Sequence, residues 1–496
     1  MQSYRRLTPV NAVPGALGED GPMIAVQHIP RSPAPVARFD AELVARYDGH
    51  GPRYTSYPTA PHFRSDFREA DFVAQARASN EDPIPRRLSL YVHVPFCFSP
   101  CFYCGCTRII TRERAKGEAY MQRLYREIEL TAPLFDRDRR VVQLHLGGGT
   151  PNFLDAGQMG ELIESLAQHF SLSTEPSREF GIELDPRYAD ADYVRALGEL
   201  GFNRLSVGIQ DFDPAVQEAV NRHQSEAQTA AAIEAARAAG FRSVSVDLIY
   251  GLPNQTLAGF ASTLRSVIAL RPDRIAAYSY AHLPELFKAQ RQLDASLLPD
   301  AATKLALLGE TVEMLDAAGY RYIGMDHFAL PGDELVRAQD NGTLQRNFQG
   351  YSTHGDCDII GLGMSAISRV GDSYSQNAKD LVGYYAAVDH GHLPTVRGLR
   401  LSDDDLIRRD AINRLMCHGA IDLRDFEAQH RIDFAVYFAG SLDRLHELAE
   451  DGLVQLTPER ILVTPRGRFL LRTVAMAFDA WLSAPREGAV RYSRTI

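Results

Sequence analysis

Four cysteines fall within ten residues of this 496-residue chain, in Tyr91-Val-His-Val-Pro-Phe-Cys97-Phe-Ser-Pro-Cys101-Phe-Tyr-Cys104-Gly-Cys106, and only Cys357 and Cys417 lie elsewhere. Thiolates are soft, strong ligands, so this density points to metal or iron–sulfur ligation rather than to scattered core packing. The spacing C-x3-C-x2-C narrows the chemistry. Three cysteines can each hold one iron of a [4Fe-4S] cluster and leave the fourth iron open, whereas a closed electron-transfer cluster takes four protein ligands. A structural zinc site would normally come as two separated ligand pairs, and Cys357 and Cys417 are too far apart in sequence to supply the second pair. A disulfide framework has no secretory segment to support it, and the two outlying thiols read as small core residues.

The elements that must position these cysteines follow from a repeated strand, loop and helix pattern. Leu88 to Val94 reads as the first strand, and the cysteine loop leaves its carboxyl end. Tyr91 and His93 are two apart on it, so their side chains share one face; His93 equally fits a satisfied core histidine. Val141 to Leu146 runs into Gly147-Gly-Gly-Thr-Pro151, Phe180 to Leu184 carries Glu183, and Arg204 to Ile209 ends at Gln210. Ser243 to Tyr250 contains Asp247, and Arg274 to Tyr280 precedes Ala281. Helices are expected between them, among them Glu118 to Leu134 and an alanine-rich run with a Ser225/Gln228 capping box and Gly240 as its stop. Such alternation predicts an α/β fold with a parallel sheet covered by helices. Six units precede residue 290, fewer than a closed eightfold barrel needs, so the expectation is an open, partial β/α barrel with its site at the carboxyl ends of the strands.

The rest of the chain divides by composition. Residues 1–38 contain six prolines and no periodicity, and read as a disordered arm; 39–84 form an N-terminal extended segment that includes a short helix from Ala41 to Tyr47. The barrel domain is expected over 85–371, with a helix from Ala302 to Ala318 and a strand near Tyr322 to Met325. A mainly helical C-terminal domain is expected over 372–496, with helices at Leu401 to His418, Phe434 to Glu450 and Arg466 to Leu482 and a hairpin across Val454 to Val463. Helix, hairpin and helix suggest a winged-helix-like module. The formal charge of −10 disfavours nucleic acid and an anionic membrane as partners. No apolar run is long enough to cross a bilayer, and the reading is a cytoplasmic protein.

The cysteine spacing, Tyr103 before the third cysteine, and Gly147-Gly-Gly-Thr-Pro151 together resemble the radical S-adenosylmethionine superfamily. Cys106, the opening Gly51-Pro-Arg-Tyr-Thr-Ser-Tyr-Pro-Thr59 and the run Arg346-Asn-Phe-Gln-Gly-Tyr351 are similar, within it, to the oxygen-independent coproporphyrinogen III oxidase family, from about Phe39 to the C-terminus. The resemblance implies that Cys97, Cys101 and Cys104 hold a [4Fe-4S] cluster whose open iron is chelated by S-adenosylmethionine. It implies that Tyr91, Tyr103, Gly148, Gly149, Thr150 and Glu183 contact this cofactor. Gln210, Arg222, Asp247, Ala281 and Ile367 match positions around a second molecule of it.

The activity so implied is oxidative decarboxylation of two propionates of coproporphyrinogen III to the vinyl groups of protoporphyrinogen IX, in haem biosynthesis. A 5'-deoxyadenosyl radical removes hydrogen, so no protein acid–base or nucleophilic residue is assigned. The implied partners are an electron donor such as a flavodoxin or ferredoxin and an external electron acceptor of unknown identity; the chain is expected to be a monomer. The alternative is a haem chaperone on the same fold. One departure stands out: Asn221-Arg-His-Gln224 carries imidazole at His223 where the family commonly has a carboxylate. The run Gly361-Leu-Gly363-Met-Ser-Ala366 looks like a dinucleotide fingerprint but lacks the early βαβ setting, and is read as a cofactor-pocket loop. Arg53 is a candidate for a substrate propionate, against the plainer reading of a solvated surface arginine.

Overall fold

Leu88–Val94 (β1), Arg140–Gly148 (β2), Glu179–Leu184 (β3), Arg204–Gln210 (β4), Ser243–Tyr250 (β5) and Arg274–Ser279 (β6) lie side by side in chain order, each parallel to the next. These strands belong to a computed structural model that describes residues 37–482 and residue 492. The arm expected over 1–38 falls, through residue 36, outside the described residues. Helices Arg114–Thr131 (α1), Ala156–His169 (α2), Ala191–Glu199 (α3), Glu226–Ala238 (α4), Leu257–Leu270 (α5) and Ala301–Ala317 (α6) follow the six strands in turn. The Ser225/Gln228 capping box forms as expected, and Gly240 ends α4 with φ +80°.

Strand periodicity decides what each face of the sheet carries. In β1, Leu88, Leu90, Val92 and Val94 are at most 1% exposed, and in β5 the same holds for Val244, Val246, Leu248 and Tyr250. All belong to one apolar core shared with the covering helices. Burial of each such side chain stabilises the fold by roughly 1.5–3 kcal/mol. The alternate residues face the other way. Gln143, His145, Glu179, Glu183, Ser206, Ser245, Asp247 and Tyr278 line a polar lumen of about 190 Å³. The same sequence alternation that glues helices to the outside therefore leaves polar groups only on the inside.

The barrel stays open. Beyond β6 the sheet gains two antiparallel strands, His327–Ala329 and Arg321–Gly324. Beyond β1 it gains Asp358–Leu362, added in parallel, then Ile367–Val370, Ser373–Asn377 and Thr395–Arg400 in antiparallel order. The main sheet thus runs past residue 371, where the strand–helix alternation of the sequence stops. A meander with one short crossing helix, Leu381–Asp389, carries no such alternation.

The C-terminal region begins with Asp403–His418 (α7), whose N-cap Ser402 and Asp405 form a capping box and whose end is set by Gly419 at φ +66°. A three-stranded antiparallel sheet, Ala420–Asp422, Arg460–Val463 and Val454–Leu456, contains the expected hairpin. The helix expected from Phe434 to Glu450 is instead two, Phe434–Tyr437 and Ala439–Glu450. The break falls at Phe438, whose buried ring packs 4.7 Å from Phe434 and 5.0 Å from Phe478. The helix expected from Arg466 to Leu482 resolves into three short turns, Gly467–Leu470, Leu471–Met476 and Ala480–Leu482. Leu43, Val44, Tyr54 and Tyr57 of the N-terminal segment pack into the core of this C-terminal region with Leu415, Leu445 and Phe478. Buried Arg472 donates to the carbonyls of Gly51 and Pro52, which fixes the extended stretch between Gly51 and Pro61. No helix among the described residues is long and apolar enough to cross a membrane.

One buried ion pair attaches the second half of the sheet to the first. Arg139 donates to Asp358 Oδ2 at 2.5 Å, to Ser79 Oγ and Asn80 Oδ1 at 2.8 Å each, and to the Arg86 carbonyl at 2.8 Å. Both side chains of the pair are 1% exposed. Asp358→Ala leaves an uncompensated buried guanidinium, and equilibrium urea unfolding is expected to show a loss of about 3–5 kcal/mol. A loss below about 1 kcal/mol, the scale of exposed pairs, would mean that the pair does not hold the strands together.

Candidate cluster and cofactor site

The cysteine loop is fixed where it leaves β1. The Gly149 N–H donates to the Val94 carbonyl and the Thr150 N–H to the Phe96 carbonyl, both at 2.8 Å, so the Gly-Gly-Gly-Thr turn after β2 is stitched to the start of the loop. Thr150 Oγ1 lies 3.3 Å from Cys97 Sγ. Further along, Phe102 N–H donates to the Val220 carbonyl at 3.0 Å, Asn221 Nδ2 to Pro100 at 2.7 Å and Gln290 Nε2 to Tyr103 at 2.9 Å. Arg108 spans the loop, donating to the carbonyls of Cys101 and Cys104 at 3.1 Å each. These anchors leave Cys97 and Cys101 buried, Cys104 half-buried and Cys106 exposed.

Two arginines converge on the middle sulfur. Arg187 Nη2 lies 3.8 Å and Arg222 Nη1 3.7 Å from Cys101 Sγ. Both also reach Asp185 Oδ2, at 2.7 and 3.3 Å, and all three side chains are at most 11% exposed. Burial alone would raise the Asp185 pKa, but Arg222 and Arg187 outweigh it and hold the carboxyl below its usual range. Arg222 further donates to the Gly208 carbonyl at 2.7 Å, while its Nε has no hydrogen-bond partner among the described residues. On the third sulfur, the Cys106 backbone N–H approaches Cys104 Sγ at 3.4 Å. The Cys106 thiol and then Arg108 push the Cys104 thiol below its ordinary range against the opposing effect of burial.

The donor set fits an iron–sulfur cluster. Of three thiols from one loop, Cys101 and Cys104 are met by arginines that would stabilise thiolates, while Cys97 has the Thr150 hydroxyl and burial pushes its thiol up to about 11. Among the described residues, no three His, Cys, Asp or Glu side chains close round a single ion. The adjoining turn has room for a ligand's backbone contact only because it lacks side chains. A Cβ on Gly148, at φ +114°, would stand 2.6 Å from the His93 ring, and one on Gly149 would stand 2.8 Å from the Phe96 carbonyl. His93 is the satisfied buried histidine of the plainer reading. It is 6% exposed, its Nε2 is 3.0 Å from the Thr107 carbonyl, and it packs beneath Gly148.

The residues expected around the cofactor divide into two groups. Tyr91, Gly148, Gly149, Thr150 and Glu183 gather at the carboxyl ends of β1 to β3. Tyr91 stacks on His145 with ring centres 6.0 Å apart, and His145 Nε2 is 3.2 Å from Glu183 Oε1. Ile367 joins them through Gly361, which pairs with Tyr91 and whose added Cβ would meet the Ile367 carbonyl at 2.6 Å. Tyr103, Arg222 and Ala281 lie toward the other side. Tyr103 packs against the small apolar cluster of Val216, Val220, Leu252 and Tyr280, and the Ala281 carbonyl accepts from Gln290 Nε2 at 3.2 Å. Gln210 ends β4 with φ +73°, an uncommon conformation for a residue with a side chain, at a shift in the β4–β5 register. Asp247 faces the lumen and accepts from Ser206 Oγ at 3.2 Å.

Asp185, Arg187, Arg108 and His145 were not expected from the sequence. Asp185 and Arg187 directly follow β3, so the rule that places function at the carboxyl ends of strands was signal enough for them. His223 lies 62% exposed beside Glu218, so the departure from the family pattern is a surface feature beside the buried Arg222. Arg53 is no solvated arginine. It pairs with Asp326 at 2.6 Å and lies 5.7 Å over the ring of Tyr278, which lines the lumen.

A model of the radical SAM superfamily matches residues 91–267, and one of the HemN C-terminal domain matches residues 401–470. The chain is 50% identical over 459 residues to the oxygen-independent coproporphyrinogen III oxidase of Pseudomonas aeruginosa, covering 92% of this chain and 99% of that protein. It is 47% identical to the enzyme of the same name from Escherichia coli K12, covering 90% and 96%. The solved structure of coproporphyrinogen III oxidase (HemN) from Escherichia coli, described as a radical SAM enzyme, superposes with a TM-score of 0.85 at 46% identity, over 90% of this chain and 99% of that one.

Two of the lumen carboxyls, Asp247 and Glu183, shift in opposite directions. Burial and then the charge of Glu183 raise Asp247 to about 7. For Glu183 burial is outweighed by the His145 and Gly148 hydrogen bonds, so its pKa lies below the ordinary value. A folded value above the unfolded one of roughly 3.9 gives stability that is full below about pH 4 and is lost as the pH rises toward the folded pKa. Asp247→Asn mimics the protonated form, so the Tm of ligand-free wild type minus that of the variant is expected to fall between about pH 4 and 7 and to level off above that. A difference independent of pH would show that the carboxyl is ionised throughout.

Proposed function

The chain belongs to the oxygen-independent coproporphyrinogen III oxidase family of the radical S-adenosylmethionine superfamily, and from this premise we propose that it converts coproporphyrinogen III to protoporphyrinogen IX by oxidative decarboxylation of two propionates. The observation that carries the reading is the anchoring of Cys97, Cys101 and Cys104 beside the glycine turn that follows β2, at the carboxyl ends of strands whose inner faces line a polar lumen. When bound, a [4Fe-4S] cluster and S-adenosylmethionine supply the radical chemistry.

The chain's own residues bind, orient and shield. Cys97, Cys101 and Cys104 each hold an iron, and Arg187 and Arg222 place positive charge against the Cys101 sulfur. The Gly148–Gly149 backbone approaches the cofactor, with Tyr91, Tyr103, Thr150 and Glu183 around it. We assign Gln210, Arg222, Asp247, Ala281 and Ile367 to a second molecule of S-adenosylmethionine; the orphan Nε of buried Arg222 supports a polar ligand there. Arg53, held over the lumen by Asp326, is placed to meet a propionate. A reducing cytoplasm suits three thiol ligands, a flavodoxin or ferredoxin suits the need for a low-potential electron, and a monomer is the proposed state. For the domains we propose an arm through residue 38, the 39–84 segment laid against both units, a barrel from 85, and a helical, winged-helix-like unit. The proposed start of that last unit is near 401 instead of 372, because the main sheet continues through Thr395–Arg400.

The haem-chaperone alternative is not favoured by the relatives named above. Purified without oxygen and given reductant and S-adenosylmethionine, the protein is expected to release two molecules of carbon dioxide per coproporphyrinogen III and yield a divinyl product, followed by chromatography. Haem binding with no turnover would contradict the proposal.

A further inference from the structure

A second cavity, of about 400 Å³, opens at the opposite end of the barrel, where the strands begin, between the N-terminal segment, the hairpin Gln345–Asn347/Gly350–Ser352 and α7. Its lining includes Arg86, Arg346, Arg369 and Arg409. The hairpin separates it from the lumen, since Tyr351 and Ser352 line the lumen while Gln345 to Phe348 line the second cavity.

The arginines here are short of counter-charge. Arg346 Nε, Arg369 Nε, Arg409 Nη1 and the hydroxyl of Ser56 are buried atoms with no hydrogen-bond partner among the described residues, and all four side chains line this one cavity. Arg346 is 9% exposed and its other contact is the Arg53 carbonyl, at 2.6 Å. Arg369 donates only to the carbonyls of Gly355 and Cys357, at 3.0 and 2.7 Å. The carboxylates nearby are engaged elsewhere: Asp410 with Arg414 at 3.0 Å and His430 at 2.8 Å, Asp356 with Arg87 at 3.1 Å, and Asp358 with Arg139 at 2.5 Å and with Arg86 of the lining at 3.7 Å. Asp372 lies on the rim, exposed. Burial, and then the adjacent charge of Arg409, lowers the Arg369 pKa, which marks mutual repulsion between the two guanidiniums. Buried like charges with open donors are costly unless a ligand of opposite charge completes them.

We propose that this cleft is an oxyanion site, separate from the cluster and lumen, that takes a carboxylate or phosphate group of a small polyanion between Arg346, Arg369 and Arg409, with Ser56 as a neutral donor. Guanidinium forks match the planar or tetrahedral oxygens of such groups. The hairpin places the occupant one wall away from the lumen: Arg346 lies 5.5 Å over the ring of Tyr351, which lines the lumen, and donates to the backbone carbonyl of Arg53, whose side chain lies over lumen-lining Tyr278.

The test uses the anaerobically prepared, cluster-loaded protein and two probes, inorganic phosphate and tricarballylate, a tricarboxylate. Isothermal titration is expected to show one site per chain for at least one probe, and which probe binds separates a phosphate-bearing occupant from a carboxylate-bearing one. Arg409→Gln is expected to weaken that binding at least tenfold and to abolish the rise in Tm that the probe gives wild type. Because Arg409 has no ion-pair partner among the described residues, the same variant without probe is expected to melt at or above the wild-type temperature. Binding of neither probe, unchanged affinity in the variant, or a variant that melts lower without probe would each overturn the proposal. Coproporphyrinogen turnover does not enter any of these readouts, so the result stands apart from that of the proposed activity.

Discussion

Two backbone hydrogen bonds, from Gly149 to Val94 and from Thr150 to Phe96, are the constraint on which the candidate site depends. They join the turn after β2 to the last residue of β1 and to Phe96 at the start of the cysteine loop, so that loop and turn are held together. The parallel register behind them, with His93 beside Gly147 and Val94 beside Gly148, leaves the side chain of His93 directly under Gly148. A methyl group at Gly148 would collide with that ring, and the loop would have to lift from the strand. Backbone geometry therefore positions the sulfurs, and side chains such as Thr150, Arg187 and Arg222 then tune them.

The same economy of position governs the lumen. Strand alternation sends Leu, Val and Ile outward to the helices and Gln143, His145, Glu183, Ser206 and Asp247 inward. Much of the polar lining is paired within the lumen: His145 with Glu183, Ser206 with Asp247, and the Gln143 amide nitrogen with Ser352, while the Gln143 side-chain oxygen has no partner among the described residues. Arg222 and the second-cavity arginines also carry open donors in buried surroundings. In the second cavity these open donors converge on one space, which is where a ligand is expected.

Much of this was legible in the sequence because its signals were local. The six strands of the barrel, the capping box at Ser225 and the cysteine spacing each depend on residues a few positions apart, and the structure places them as read. What was missed depends on contacts distant in sequence. Asp358–Leu362 adds beside β1 through the Arg139–Asp358 pair, across 219 positions. The break at Phe438 is set by rings from other elements, and the N-terminal Leu43, Val44, Tyr54 and Tyr57 enter a core whose other members lie hundreds of residues away. Arg53 was a candidate from the sequence, but its partners, Asp326 and Tyr278, are brought to it only by the fold.

The central claim is that three cysteines hold three irons and leave the fourth open to S-adenosylmethionine. Mössbauer spectra of protein reconstituted with isotopically enriched iron, recorded with and without S-adenosylmethionine, test it directly. The account predicts a cluster in which one iron of the four changes its signal when the cofactor is added. Four irons that do not respond, or zinc in place of iron, would contradict it.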